Sequence, residues 1–225
     1  HELDASIMHG EHLDAGAVAG VSTVKSPIAL ARAVMEDSPH VMLAGAGAEA
    51  FALERGFDPV PAEYFATERR REALEAYKAN EQAGLKPEAD HKFGTGGVAV
   101  LDQTGNLVAG TSTGGMTGKR WGRVGDSPVI GAGTYADNRS CAVSATGHGE
   151  YFIRHTVARD ICARMQFGGV TLEEAASTVV MGELVAAAGE GGIVAVDPAG
   201  RVALVFNTPG MYRASIDAAG RKVVA

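Results

Sequence analysis

GTGGVAVLDQTGNLVAGTST, residues 94–113, decides how this chain is read. Two apolar runs, GGVAVLD and LVAGTST, flank QTGN, a short connection containing glycine, and this is the pattern of a β-hairpin. Immediately upstream, NEQAGLKPEADHK (residues 80–92) is polar, contains Gly84 and Pro87, and has no periodicity that could bury a face, so it reads as a linker. The style of the chain changes across it. Before the linker, Ser26-Pro27 forms an N-cap and N1 pair that opens the helical run IALARAVMED, and Ser38-Pro39 ends that run because the residue before proline avoids the helical region. HVMLAG (40–45) then reads as a short buried strand. A second helix is expected over about 46–55 with Gly56 as its C′ residue, and a third, charged one over about 67–79.

After the hairpin comes a strand over about 140–145, then a helix from about 150 to 166 that stops at Gly168-Gly169. Another helix follows, opened by the capping box Thr171-x-x-Glu174. A second hairpin, IVAVD and RVALVF around PAG, closes the pattern. Helices first and then hairpins with helices between them favour an α+β layered fold with largely antiparallel sheet over a doubly wound parallel one.

With 46% hydrophobic and 21% charged residues over 225 positions, the composition is that of an ordinary globular chain. The net charge of −7 comes from scattered acids, and no Lys/Arg cluster alternates with aromatics, which excludes a nucleic-acid partner. No run approaches the roughly 20 apolar residues that span a bilayer, and no signal-peptide core opens the chain, so no membrane partner is expected. Cys141 and Cys162 are too few for a disulfide framework and lack metal-ligand spacing. Free thiols in a reducing, cytoplasmic compartment are the expectation. The opening HELDASIMHG begins inside an apolar stretch with no polar lead-in, which implies a preceding segment.

Four motifs compete for the chemistry. Gly45-Ala-Gly47-Ala-Glu-Ala50 matches the G-x-G-x-x-A of a nucleotide-binding turn, but the strand that feeds it has no evident parallel partner, and a tight strand-to-helix turn is the simpler reading. Gly110-Thr-Ser112-Thr-Gly114 matches the nucleophile elbow of serine hydrolases, yet GMTGKRWGRVGD follows where an elbow needs a helix. His148 and His155 are seven apart on one helix face, with no carboxylate or cysteine to complete a metal set. The fourth is a constellation. A threonine hydroxyl is a poor nucleophile, but a threonine at a chain N-terminus carries its own base, an α-amine with a pKa near 8. Gly94 permits the backbone conformation that in-line attack before Thr95 demands. Thr146-Gly147-His148-Gly149 ends a strand and opens a helix, where backbone N–H groups can bind an oxyanion. Arg123 can grip a carboxylate bidentately, and Asp126 can hold an ammonium. Together they would recognise a free amino-acid end.

HKFGTGGVAVLD, GNLVAGTSTGGMTGK, GRVGDSPVIGAGTYADN, SATGHGEYFIR and FNTPGMYRA resemble the β-subunit of isoaspartyl peptidases with plant-type L-asparaginase activity. HELDASIMHG, AGAVAGVSTVKSPIALARAVME and SPHVMLAGAGAEAFA resemble the later part of the α-subunit. The resemblance covers most of the chain and is tightest over 92–150. It implies an N-terminal nucleophile hydrolase with an αββα sandwich, in which residues 1–94 are α-subunit, 95–225 are β-subunit, and both form one structural domain. The precursor would cut itself between Gly94 and Thr95 and assemble as a dimer of heterodimers. Thr95 would be the nucleophile, Thr113 its supporting hydroxyl, and Thr146 with Gly147 the oxyanion hole. Arg123 and Asp126 would hold the α-carboxylate and α-ammonium of L-asparagine or a β-aspartyl dipeptide, with Gly149 lining the pocket.

No cofactor is implied. The family's structural sodium site belongs to about 60 further upstream residues, which this sequence does not contain. Gly96 stands where the family usually has a bulkier apolar residue, His9 where aspartate is common, and His148 within the oxyanion turn. An inactive fragment or uncleaved precursor is the alternative of the same family. A nucleotide-binding protein using GAGAEA is the alternative of another class.

Overall fold

The computed structural model describes residues 1–85 and 94–225. Its first two elements, β1 (Leu3–His9) and β2 (Ala15–Val21), form an antiparallel hairpin for which the sequence reading assigned no elements. Helix α1 (Pro27–Asp37) follows with proline in its first turn, and buries Pro27, Leu30, Ala31 and Val34 at the i, i+3, i+4, i+7 spacing of one apolar stripe. That stripe lies so close to β2 that a Cβ on Gly16 would stand 2.0 Å from the Ala31 carbonyl oxygen. Strand β3 (Met42–Ala44) pairs parallel with β2, and it is a largely exposed edge strand, not the buried one expected. α2 (Gly45–Glu54) starts directly from it, with Gly56 at a φ of +77° just past its end. α3 (Glu68–Gln82) is capped by the Thr67 side chain and buries no residue. It runs into the expected linker, of which residues 86–92 lie outside the described residues.

β4 (Gly96–Leu101) and β5 (Leu107–Thr113) form the expected hairpin, and β5 also pairs antiparallel with β1. The first sheet therefore has the order β3-β2-β1-β5-β4. The second, β6-β7-β8-β9, is antiparallel throughout and comprises β6 (Thr134–Ala136), β7 (Ala142–Gly147), β8 (Gly191–Val196) and β9 (Val202–Phe206). Between β7 and β8 the single helix expected over 150–166 is two: α4 (Gly149–His155) and α5 (Val157–Gly168) meet at Thr156, whose φ of 47° and ψ of 46° break the helical path. The capping box at Thr171 and Glu174 is formed and opens α6 (Leu172–Ser177), which continues through a π-helical turn into α7 (Leu184–Ala186).

A further unanticipated hairpin, β10 (Ala214–Ile216) with β11 (Lys222–Val224), ends the chain. All three late hairpins turn on the same device. Asp102, Asp197 and Asp217 each accept backbone N–H groups from two and four residues on, satisfying donors that the tight turn would strand.

One core cluster packs β1, β2, α1 and α2, and a larger one packs the sheet interior against α5 and α6. The layers are thus helix, sheet, sheet, helix, as expected of an α+β sandwich. The two cysteines correct the sequence reading: Cys141, just before β7, and Cys162 on α5 are fully buried and joined as a disulfide with Cα atoms 5.5 Å apart. Packing α5 across β7 creates that contact, and the compartment argument that rested on free thiols falls with it.

Candidate active site

On the interior face of the first sheet, Leu107, Ala109, Thr111 and Thr113 succeed one another at the two-residue step of β5, so the face turns from apolar to hydroxyl-bearing toward one end. Thr95 lies at that end, just before β4. Its hydroxyl donates to Thr113 Oγ1 at 3.2 Å, and the Gly115 N–H donates to the same oxygen at 3.1 Å. The sequence-predicted nucleophile and its supporting hydroxyl are therefore brought together.

β7 of the second sheet runs in the same sense and ends in Thr146 and Gly147. Gly147 has a φ of +154°, and a Cβ there would stand 2.4 Å from the Glu190 carbonyl oxygen and 2.6 Å from the Phe152 ring. Only glycine fits that turn. The helix that follows, α4, has seven residues before its break, so less dipole stands behind the turn than an uninterrupted helix would supply.

Arg123, Asp126 and Gly149 meet at the same end. A Cβ on Gly149 would lie 2.9 Å from Arg123 Nη2 and 3.0 Å from Asp126 Oδ1, so the glycine gives the pair room. Arg123 Nε and Nη2 each donate to Glu150 at 2.9 Å, a bidentate pair that holds the Glu150 carboxyl below its usual pKa. Asp126 is buried, and its Oδ2 has no hydrogen-bond partner among the described residues. Burial pushes its pKa up to about 7, against the opposing pull of its own backbone N–H and of Arg123, while Glu150 and Asp4 add repulsion. Asp4 is a second fully buried carboxylate there: the Gly20 N–H donates to its Oδ1 at 2.8 Å, its Oδ2 also lacks a partner among the described residues, and burial raises its pKa.

Sequence reasoning assigned no role to Glu150, Asp4 or Lys119, whose Nζ reaches Glu2 at 2.9 Å and the Arg123 carbonyl at 3.2 Å. Acidic residues inside an otherwise apolar strand, as in LDASIMH, were the available signal for Asp4. The competing motifs find structural uses. Glu49 of GAGAEA accepts the Ser22 and Thr23 N–H groups at 2.6 and 3.0 Å and ties α2 to the β2–α1 connection. Ser112 is an ordinary β5 residue followed by a loop. Among the described residues no three His, Cys, Asp or Glu side chains gather in a way that could hold a metal ion.

An αββα sandwich with a threonine hydroxyl at the head of an edge strand of one sheet and a glycine turn at a strand end of the other is the frame of an N-terminal nucleophile hydrolase. The sequence matches the asparaginase family over residues 1–225, and the chain belongs to that family. It is 54% identical over 219 residues to the isoaspartyl peptidase of Escherichia coli K12, covering 95% of this chain and 68% of that protein. The isoaspartyl peptidase of Salmonella typhimurium is 52% identical over 219 residues, with 95% and 70% covered. The bovine isoaspartyl peptidase/L-asparaginase is 43% identical over 210 residues, with 93% and 68% covered.

Proposed function

We propose that this chain is an autoprocessing threonine hydrolase that cuts itself between Gly94 and Thr95 and then releases L-aspartate from β-aspartyl dipeptides and L-asparagine. The observation that carries the reading is the Thr95 to Thr113 hydroxyl contact at the predicted cleavage junction. Once free, the Thr95 amine takes the proton from its own Oγ, which attacks the side-chain carbonyl of the substrate. Thr146 and Gly147 hold the oxyanion, a contribution on the order of 10²-fold per donor. Collapse breaks the C–N bond and the leaving amine takes the proton. Water then attacks the acyl-enzyme by the same route and frees aspartate and Thr95.

Arg123 takes the substrate's α-carboxylate in place of, or beside, Glu150. Asp126, whose buried Oδ2 has no hydrogen-bond partner among the described residues, takes the α-ammonium, and Gly149 leaves room for both. In this reading residues 1–94 and 95–225 form one structural domain, and two such pairs assemble as a dimer of heterodimers. No described helix is long and apolar enough to cross a membrane; cytoplasmic residence belongs to the same proposal, and the Cys141–Cys162 disulfide counts against it.

Thr95→Ala is expected to leave one uncut mass by denaturing mass spectrometry and no aspartate release, where the parent chain gives two masses. A cut variant would remove Thr95 from its role. A parent chain that keeps one mass and no activity would instead favour the uncleaved precursor.

A further inference from the structure

The two halves of the proposed machinery stand on different sheets, and among the described residues no strand ladder joins those sheets. Thr95 and Thr113 belong to the first, Thr146 and Gly147 to the second. One step behind them, four buried hydroxyls cross the gap. Thr134 Oγ1 on β6 donates to Thr111 Oγ1 on β5 at 2.6 Å, and Thr111 Oγ1 lies 2.6 Å from Ser144 Oγ on β7 and 3.0 Å from the Gly133 carbonyl oxygen. Ser6 Oγ on β1 lies 2.7 Å from Thr134 Oγ1 and 2.5 Å from the Ser127 carbonyl oxygen. Ser6, Thr111, Thr134 and Ser144 are all at most 2% exposed, so water cannot substitute for these partners.

The register places this cluster directly behind the site. Thr111 precedes Thr113 by two residues on β5, and Ser144 precedes Thr146 by two on β7. Each pair shares a face about 7 Å apart along its strand. Gly97, two residues after Thr95, pairs with Thr111, and a Cβ on it would stand 2.0 Å from Ser144 Oγ. The missing side chain at Gly97 is what lets Ser144 reach across. Apolar contacts are non-directional and let two sheets slide, whereas hydrogen bonds between short hydroxyl side chains fix both spacing and register.

We propose that Ser6, Thr111, Thr134 and Ser144 are positioning residues that lock the two sheets together behind the site and so aim the Thr146–Gly147 turn at the carbonyl attacked by Thr95. The inference rests on the function proposed above. Misplacing such a turn by about 1 Å costs on the order of 10²-fold in rate. Accordingly Thr111→Val and Ser144→Ala are expected to lower kcat for a β-aspartyl dipeptide between about tenfold and a hundredfold, with KM within about threefold. Thr111→Ser, which keeps the hydroxyl, is expected to restore kcat to within about threefold of the parent.

The assay runs on the cleaved protein well below its unfolding midpoint, with melting curves beside it; should Thr111→Val not fold, Ser144→Ala, which removes a single oxygen, carries the test. A kcat unchanged within about twofold while the midpoint falls, a loss confined to KM, or no recovery in Thr111→Ser overturns the proposal. A parent protein that cleaves no β-aspartyl bond would overturn the function itself, a result separable from all of these.

Discussion

At the residue scale, Asp126 makes the sharpest demand. A carboxylate with a pKa of about 7 in the folded chain, against about 3.9 when unfolded, favours folding only while protonated. Its contribution is full below about pH 4 and is lost as pH rises to about 7, so Asp126→Asn is expected to gain in unfolding midpoint over the parent across that window. In the role proposed for Asp126 binding has the opposite sign, because the α-ammonium of the substrate needs the ionised form. We expect Asp126 to add roughly a tenfold loss in kcat/KM for a β-aspartyl dipeptide per pH unit below about pH 7 to the loss that protonation of the Thr95 amine causes, and Asp126→Asn to lose that added slope and most of the activity. A pH profile from 5 to 9 in parent and variant checks it. Motif spacing and the resemblance single out Thr95, Arg123 and Asp126 in the sequence. They do not single out Glu150 on Arg123, since the two are 27 residues apart and meet only when α4 folds beside the 114–126 loop.

Among the elements, the junction of α4 and α5 is the place where local sequence misled. GEYFIRHTVARDICARMQFG has no proline or glycine inside it to announce a break, yet Thr156 sits in the left-handed region, a conformation that a β-branched residue adopts at a cost of about 1–2 kcal/mol. The Thr156 side chain is exposed, so its replacement disturbs little packing. Thr156→Gly is therefore expected to raise stability by about 1 kcal/mol, measured by denaturant unfolding. Gly96 is the reverse case. A glycine inside a strand weakens it, and a Cβ at this position would meet nothing within 4 Å, so an alanine would fit without a clash. The hairpins were readable where apolar alternation was clear, and β10–β11 was missed although its Asp217-Ala-Ala-Gly-Arg221 turn repeats Asp197-Pro-Ala-Gly-Arg201.

For the molecule as a whole, the first sheet straddles the proposed cut. β1, β2 and β3 precede Gly94, β4 and β5 follow it, and β1 pairs with β5 from Asp4↔Thr113 to His9↔Val108. Residues 1–94 and 95–225 are accordingly expected to stay together after cleavage and to unfold in one transition. They should travel as one species in native mass spectrometry and separate only under denaturant; dissociation in native buffer would contradict a shared domain.

The sequence by itself determined what depends on neighbours within a turn or two: the α1 stripe, the capping box at Thr171, the β4–β5 hairpin, and a threonine placed after a glycine where self-cleavage could free its amine. Tertiary structure alone decided the order of strands in each sheet, the joining of Cys141 to Cys162, and the hydroxyl chain from Ser6 to Ser144. Those contacts link residues from 21 to 128 positions apart. No local pattern encodes them, because each forms only when two apolar faces close on one another and leave the groups between them only partners brought in from distant parts of the chain.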